Sequence, residues 1–550
     1  MRNRFLRVVS LMITLTMLAV ATSACGNDDN SNAGVGHSFK YTLVGNPDTL
    51  DPQLAENASA KMVLANLFEG LFAVDDSGNV EPALVKDYTV SEDGLVYRFT
   101  LREDSYWYDE MHDDTPFSKK EKVVVDALDF VYAFQRLFNP MYHSPYAEQF
   151  ACLENAQDIL AGKQDYSMIG VSANKTNELE MRLAYPNAEF LQLLTLPAAL
   201  PCNEEYFEST KGRYGLDETS VIGNGAFAMQ RWLYDPYGKY NVIQLCRNPL
   251  AHEVNRISPV DLTFYIEKTE SDAENLFEKG STDCLVTTDT VAITGSNVNA
   301  SGVYSLTLGL TAATDSPFAN PKLFEALTRS FDRAKFTSES GDVKPAYAIL
   351  PPAVMLLGKS VRELNAETAY ISYDTAAARD AYYAALDVMG VSELPEGKIL
   401  VPTGLMDYSI LLKILDIWHT ELGVHMSLEE VSDEVYQSRI KKGGFDLALL
   451  AVSGETYGAQ SVFEAFLANP AISCGCASDV KDLLERASVA PNLNSCVELY
   501  RKAESVILDS HCFVPLFYKQ RYLVCNASAS EIGYNPFSGA LRFRDAKFND

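Results

Sequence analysis

The sequence is poor in the patterns that mark membrane-spanning proteins, common hydrolases and metal sites. Beyond residue 24 it has no apolar run approaching the roughly 20 residues that a membrane-spanning helix requires. It lacks the G-x-S-x-G and H-E-x-x-H motifs of common hydrolases. None of its seven histidines forms a tight ligand pair such as His-x-x-x-His. These absences argue against the familiar hydrolase classes and against a direct metal site.

Basic residues are also scarce. The chain has 45 Lys and Arg against 74 Asp and Glu, which gives a formal net charge of −29. Residues 1–24 contain three arginines and no acidic residue, so a chain without them carries −32. A charge of this sign and size disfavours nucleic acids and anionic membrane surfaces as partners.

The N-terminal segment indicates export. Three arginines precede a short apolar run that ends in small residues, a pattern typical of a signal peptide over residues 1–24. Thr22-Ser23-Ala24-Cys25 resembles a bacterial lipobox, although Thr22 replaces the usual leucine. We therefore expect lipid attachment at Cys25, and an ordinary cleavable signal is the alternative. Residues 25–37 are mostly polar and predict a flexible tether.

The ten cysteines do not specify a metal site. Cys474-Gly475-Cys476 has no second pair of ligands at the spacing of a zinc site, so it predicts a loop. Disulfide connectivity cannot be read from the spacing. We expect neither a metal nor a cofactor.

Residue periodicity predicts a mixed α/β fold. Alternation of Tyr97, Phe99 and Leu101 with polar residues indicates a half-buried strand. The segment 126–138 places Leu128, Val131, Phe134 and Leu137/Phe138 on one face of a helix. Further along the chain, helices and strands alternate with short connections, which is typical of α/β architecture.

Two helices are predicted in the C-terminal half. Asp374 or Thr375 begins a helix that Gly390 ends, and 408–422 form a second helix, ended by Gly423. The buried stripe of that second helix comprises Leu411, Leu412, Ile414, Leu415, Trp418 and Leu422.

The unbroken apolar run 445–452 predicts a buried strand. Ligands of open α/β sheets bind beyond the carboxyl ends of strands. Glu455 follows this strand, so its carboxylate is a candidate partner for a cationic group, although a solvated loop glutamate would show the same pattern.

Several strings, in the same order along residues 38–545, resemble one family, the extracellular solute-binding proteins of peptide and nickel ABC importers. They are most similar to its oligopeptide-binding members. The strings are TLDPQLAENASAKMVLANLFEGL (49–71), SEDGLVYRFTLREDSYWYD (91–109), DALDFVYAFQRLFNP (126–140), GNGAFAMQRW (223–232), CRNPLAH (246–252), FANPKLFEALTRSFDRAKF (318–336) and LYRKAESVILDSHCFVPLFYKQRYLV (499–524).

The resemblance implies a two-lobed periplasmic-binding-protein-like fold of type II, in its large three-domain variant, with a hinge between the lobes. Domain I would combine 38–69, 188–305 and 512–550. Domain II would be inserted at 70–187, and domain III, the second lobe, would span 306–511.

The resemblance also implies a function without covalent chemistry. A monomeric, lipid-anchored receptor on the outer face of the cytoplasmic membrane would close over a peptide and deliver it to an ABC permease. Glu455 would pair with the terminal ammonium of the peptide. The main chain of Glu56, Asn57 and Ala58, and that of Asn224, Gly225 and Ala226, would pair with the peptide backbone as an added strand does. A structural turn at Gly225 is the alternative.

The sequence departs from the family at two positions near the expected site. Leu449 stands where the oligopeptide binders have an arginine, and Val452 stands near their tryptophan. A metal chelate, a sugar or a cell-wall peptide therefore remains an alternative ligand. A surface hydrolase that uses a pair of carboxylates also remains an alternative.

Overall fold

The computed structural model describes residues 36–112, 115–288, 297–337, 342–356, 358–365, 372–472, 475–490 and 492–548. The predicted signal peptide, Cys25 and most of the tether lie outside these residues. Within the described residues, no helix is both long and apolar enough to cross a membrane.

Two four-stranded sheets lie in the N-terminal half. In the first, the order is β1 (Ser38–Val44), β12 (Asp261–Glu267), β11 (Val242–Arg247) and β10 (Phe227–Leu233), with β1 parallel to β12. In the second, all pairs are antiparallel and the order is β4 (Val85–Val90), β5 (Val96–Leu101), β9 (Glu178–Arg182) and β8 (Val171–Lys175).

The largest sheet has seven strands and both parallel and antiparallel pairs. Its order is β13 (Cys284–Thr287), β21 (Val514–Asn526), β14 (Val298–Ala312), β20 (Leu447–Val452), β18 (Gly397–Pro402) and β19 (Met426–Val431), and β15 (Val343–Pro345) pairs with β21. Short two-stranded pairs complete the strands: β2 (Phe72–Val74) with β3 (Val80–Pro82), β6 (Tyr106–Trp107) with β7 (Val123–Val124), β16 (Met355–Leu356) with β17 (Lys359–Ser360), β22 (Ala529–Ser530) with β25 (Lys547–Phe548), and β23 (Gly533–Tyr534) with β24 (Leu541–Arg542).

Helices separate many of these strands. In chain order they are α1 (Ala58–Leu67), α2 (Ala127–Phe138), α3 (Ala156–Leu160), α4 (Phe190–Leu193), α5 (Glu204–Ser209), α6 (Glu270–Glu278), α7 (Pro321–Arg329), α8 (Arg333–Thr337), α9 (Val361–Leu364), α10 (Thr375–Met389), α11 (Ser409–Ile417), α12 (Asp433–Lys442), α13 (Ala459–Ala468), α14 (Ala477–Ser488) and α15 (Leu493–Ser510). A π-helical turn, Trp418–Leu422, extends α11.

Separate hydrophobic cores define two lobes. The first lobe is the part of the chain built around one large core, which includes Phe39, Leu64, Phe130, Phe190 and Phe264. Two other cores lie on the two faces of the large sheet and define the second lobe. The long strands β14 and β21 pair along most of their length, and β21 contributes Cys525 to the first core and Phe517 to the second lobe, so these strands join the lobes.

The three-domain division made from the sequence remains a prediction. The segments assigned to domains I and II share one core, in which Phe99 and Phe134 are buried together with Phe264. The segment assigned to domain III supplies almost all the residues of the two cores of the second lobe.

The positions of several elements agree with the predictions made from local sequence. Strand β5 buries Tyr97, Phe99 and Leu101 as predicted. Helix α10 begins after Asp374, whose side chain accepts a hydrogen bond from the Ala377 amide, and it ends at Gly390, which adopts a φ of 68°. Such a positive φ favours glycine because it has no Cβ.

The predicted apolar faces of two helices need correction. Leu128 in α2 and Leu412 in α11 are exposed, whereas the periodicity predicts Leu128 on the apolar face of its helix and Leu412 in a buried stripe. In α2, Phe130 and Ala133 are buried instead, so the buried face is rotated from the predicted one. In α11, Leu411 is fully buried and its neighbour Leu412 points away from the core.

Candidate ligand-binding cleft

Glu455 lies three residues beyond the end of β20, in the loop that leads to α13. The amide of Glu455 and that of Thr456 both donate hydrogen bonds to Oγ of Ser461, at 2.8 and 3.2 Å. These bonds tie the loop to the first turn of α13. The carboxylate is therefore held at the carboxyl end of a buried strand, as the sequence predicted.

Lys61 of the first lobe forms an ion pair with Glu455 of the second lobe. Its Nζ lies 2.7 Å from Oε1 of Glu455, and the two side chains are 11% and 38% exposed. Lys61 lies in the first turn of α1, whose N-cap is Asn57. The carboxylate that the family resemblance assigns to a ligand amine thus already contacts an ammonium group of its own chain.

The surroundings of this ion pair are acidic. The ring of Tyr146 lies 5.8 Å from Nζ of Lys61, and its hydroxyl donates a hydrogen bond to the carbonyl of Ala55. Burial, together with the carboxylates of Glu455, Glu56 and Asp48, raises the pKa of the Tyr146 hydroxyl. Three carboxylates therefore lie close enough to act on one tyrosine, and Lys61 balances only part of their charge.

A cavity of about 200 Å³ adjoins the ion pair. Lys61 and Glu455 both line it, so it lies where the two lobes meet. Much of its wall is apolar and comes from Leu64, Phe68, Phe72, Leu196, Tyr457 and Tyr534. An apolar enclosure with a few charged groups is typical of a small-molecule or peptide site.

Charged side chains other than the ion pair also reach this cavity. Glu69 lines it, and burial raises the pKa of its carboxyl group, while Arg544 opposes that rise from 4.0 Å away. Arg542 also lines the cavity and donates a hydrogen bond to the carbonyl of Val74.

A second cavity of about 400 Å³ lies on another face of α1. Ala58, Ser59 and Met62 line this one, whereas Lys61, Leu64 and Ala65 line the first. The second lobe contributes Ala451 and the segment 402–405. We call the two cavities together the interlobe cleft, because residues of both lobes line each of them.

The segment Glu56–Ala58 lies at this cleft, but part of its main chain is already engaged. The amides of Glu56 and Asn57 donate hydrogen bonds to the carboxylate of Asp48, and the carbonyl of Asn57 accepts from the Lys61 amide. Of the three residues, Ala58 lines one of the two cavities.

The segment Asn224–Ala226 is arranged in a similar way. The side chain of Asn224 donates to the carbonyl of Glu69 and accepts from its amide. The Gly225 amide donates to the carbonyl of Leu67, and a Cβ on Gly225 would lie 2.7 Å from main-chain atoms of Leu67 and Phe68. The backbone that approaches Gly225 is therefore that of α1, and Ala226 is the residue of this segment that lines the first cavity.

The two residues that depart from the family pattern, Leu449 and Val452, do not reach the cleft. Leu449 and Val452, in β20, are both buried in cores of the second lobe. Neither lines the described cavities. This chain therefore offers no cation at position 449.

A second interlobe contact was not predicted from the sequence. Glu189 is buried, and its carboxylate accepts a hydrogen bond from the Tyr500 hydroxyl at 2.7 Å and from the Gln460 amide at 3.2 Å. Phe190, next to Glu189, belongs to the core of the first lobe, whereas Tyr500 belongs to the second. Gln460 lies in the first turn of α13, where a carboxylate is favoured by the helix dipole.

Titration of the Glu189 carboxyl group should make the stability of the protein depend on pH. Burial, and to a smaller extent the nearby carboxylate of Glu464, raises its pKa from 4.5 to about 7. The folded protein therefore binds this proton more tightly than the unfolded chain, so stability falls as the pH rises through that interval. We expect the free energy of unfolding of the wild type to fall by about 2 kcal/mol between about pH 5 and about pH 7, relative to that of Glu189→Gln. Urea unfolding of both proteins across this range measures the difference, and parallel pH profiles would show that Glu189 does not titrate in this way.

No cluster of three or more potential metal ligands occurs in the part of the chain that the structure describes. Cys476, at the end of the Cys-Gly-Cys motif, is disulfide-bonded.

The chain is similar in sequence to known solute-binding proteins. A model described as "Bacterial extracellular solute-binding proteins, family 5 Middle" matches residues 79–473. The chain is 23% identical to the oligopeptide-binding protein OppA of Bacillus subtilis, in an alignment of 572 positions that covers 98% of this chain and 99% of that protein. It is 26% identical to the periplasmic oligopeptide-binding protein OppA of Salmonella typhimurium, over 92% of this chain and 91% of that protein.

Among solved structures, the complex of Haemophilus influenzae OppA with RPPGFSPFR is similar, with a TM-score of 0.73 and 20% identity. The match covers 94% of this chain and all of that one. This likeness shows the fold, and it confirms the predicted α/β, two-lobed class.

Proposed function

We propose, since the chain belongs to the bacterial extracellular solute-binding proteins of family 5, that it is the substrate-binding receptor of an ABC importer and captures peptides between its lobes. Members of this family are solute-binding receptors and not enzymes. The observation that carries the proposal is the position of Glu455, at the end of a buried strand and on the wall of the interlobe cleft. The similarity to oligopeptide-binding proteins extends over nearly the whole chain and supports the choice of ligand.

The proposed binding mode places the amino-terminal ammonium of the peptide at Glu455. Ala58 and Ala226 border the ligand, since each lines one of the two cavities. Hydrogen bonds to Asp48 hold Glu56 and Asn57, which precede Ala58. Hydrogen bonds to Glu69 and Leu67 hold Asn224 and Gly225, which precede Ala226. The peptide main chain would run between these segments, and its side chains would occupy the roomy parts of the cleft.

Delivery completes the proposed function. Lipid attached to Cys25 would hold the receptor, as a monomer, on the outer face of the cytoplasmic membrane. Release of the peptide to the permease would require the lobes to separate. Attachment by more than one acyl chain gives stable anchoring, which a single chain does not.

The test uses a peptide in two forms, one with a free amino terminus and one that is N-acetylated. We expect Glu455→Gln to weaken binding of the free form at least about tenfold more than binding of the acetylated form, because only the free form presents an ammonium to the carboxylate. Titration calorimetry measures both affinities. Equal losses for the two forms would remove Glu455 from the proposed role.

A further inference from the structure

We propose that Lys61 is a specificity-determining residue: it occupies one oxygen of Glu455 and thereby limits how strongly the cleft selects a free amino terminus. This inference rests on the proposed function, which it deepens. Lys61, in the first lobe, places an ammonium group of the receptor itself where the ammonium of the ligand is expected.

The placement of Lys61 shows that it depends on Glu455. A cation in the first turn of a helix is disfavoured by the helix dipole, and Lys61 lies in the first turn of α1. Its side chain is only 11% exposed, so most of the side chain is removed from solvent. The contact of 2.7 Å with Oε1 of Glu455 compensates for both costs.

Glu455 retains capacity for a ligand. Its side chain is 38% exposed, and Lys61 contacts only its Oε1. Within the described ranges, Oε2 of Glu455 makes no hydrogen bond. A peptide ammonium can therefore bind Oε2 while Lys61 keeps Oε1. The two cations then share one carboxylate, and their mutual repulsion weakens the binding of the ligand amine.

The neighbouring carboxylates offset part of the repulsion between Lys61 and a ligand amine. Glu56 and Asp48 act on Tyr146 together with Glu455, and the ring of Tyr146 lies beside the Lys61 ammonium. These three carboxylates and one ammonium carry a formal charge of −2. Free and N-blocked peptides should therefore both bind, with a preference for the free form that is smaller than Glu455 alone would give.

The experiment compares Lys61→Met with wild type, again with one peptide in free and N-acetylated forms. We expect the preference for the free form to rise about tenfold in Lys61→Met, because the whole carboxylate becomes available to the ligand amine. In the double variant Lys61→Met/Glu455→Gln the preference should fall to about one. Lys61→Arg, which keeps the charge, should retain the wild-type preference.

Lys163→Met is the matched control. It makes the same substitution and the same change in net charge, and it breaks a surface ion pair with Asp158 in which both side chains are at least half exposed. It should leave the preference unchanged. An unchanged or reduced preference in Lys61→Met would overturn the proposal and would leave Lys61 a purely structural role.

Failure of the proposed function is distinguishable. If no variant binds any peptide, a double-mutant cycle on urea unfolding tests the ion pair itself. We expect Lys61 and Glu455 to be coupled by at least about threefold in the unfolding equilibrium constant. Absence of coupling would overturn the assignment of Lys61 to Glu455 irrespective of the ligand.

Discussion

Replacing Arg136 by methionine is expected to lower the free energy of unfolding by about 3–5 kcal/mol. Arg136, in α2, is 2% exposed and its ion-pair partner Asp51 is 4% exposed. The guanidinium also donates to Oε1 of Gln53 at 2.7 Å and lies 3.9 Å from the centre of the Phe207 ring. Removing the cation leaves the Asp51 carboxylate buried without its charged partner, which is costly in a medium of low dielectric constant.

The same change should also weaken ligand binding, because Asp51 organises the turn that leads to α1. The amides of Leu54 and Ala55 donate to its carbonyl, and the amide of Gln53 donates to its carboxylate. Glu56 and the N-terminus of α1 follow directly. Displacement of this turn would therefore move Lys61 and Ala58 from their places at the cleft.

Two further variants make the Arg136 experiment specific. Arg136→Met/Asp51→Asn removes both charges, and it should be more stable than Arg136→Met because no buried charge is left unpaired. Arg486→Met breaks an exposed helix pair with Asp482 and should cost no more than about 1 kcal/mol. A loss in Arg136→Met no larger than in Arg486→Met, measured by urea unfolding, would contradict the expectation.

Gly225→Ala is expected to lower the free energy of unfolding by about 3 kcal/mol, because the new methyl group would collide with main-chain atoms that cannot move independently. The added Cβ would lie 2.7 Å from the carbonyl carbon of Leu67 and from the amide nitrogen of Phe68. Hydrogen bonds fix both sides of this contact. The Phe68 amide donates to Leu64, the Gly225 amide donates to Leu67, and the side chain of Asn248 donates to the carbonyl of Gly225.

The matched control for Gly225→Ala is Gly444→Ala. Gly444 lies between α12 and β20, and a Cβ there would have no heavy atom within 4 Å. We expect its stability to stay within about 0.5 kcal/mol of wild type. If chemical unfolding shows the two glycine variants to be equally stable, the close approach of α1 to Gly225 is not a constraint on the fold.

The sequence predicted those features that depend on local chemistry. Asp374 begins α10 through a side-chain hydrogen bond, and Gly390 and Gly423 end helices with φ values of 68° and 72°. Each of these signals lies within a few residues of the element that it controls. Where several apolar residues are adjacent, periodicity alone does not decide which of them is buried, and this is why Leu128 and Leu412 were misassigned.

The position of Glu455 was predictable for two reasons. The end of a buried strand is the usual place of a ligand group in an α/β sheet, and the surrounding string resembles that of the oligopeptide binders. The sequence allows either a ligand contact or a turn at Gly225, because a glycine permits both. Only the structure identifies Leu67 and Phe68 as the backbone that approaches it.

The interlobe contacts had no signal in the sequence. Lys61 and Glu455 are 394 residues apart, and Glu189 and Tyr500 are 311 residues apart. A single lysine in a helix and a single glutamate before another helix are common surface features. Their pairing follows from the way β14 and β21 bring the lobes together, which is a property of the whole topology.

The central claim is that the two lobes enclose a peptide whose amino terminus is held at Glu455. Native mass spectrometry of the purified protein, mixed with a library of short peptides that contains free and N-acetylated forms, tests this claim most directly. We expect one peptide bound per monomer and an enrichment of free amino termini that Glu455→Gln abolishes. Absence of any bound peptide, or equal retention of free and acetylated forms by wild type, would contradict it.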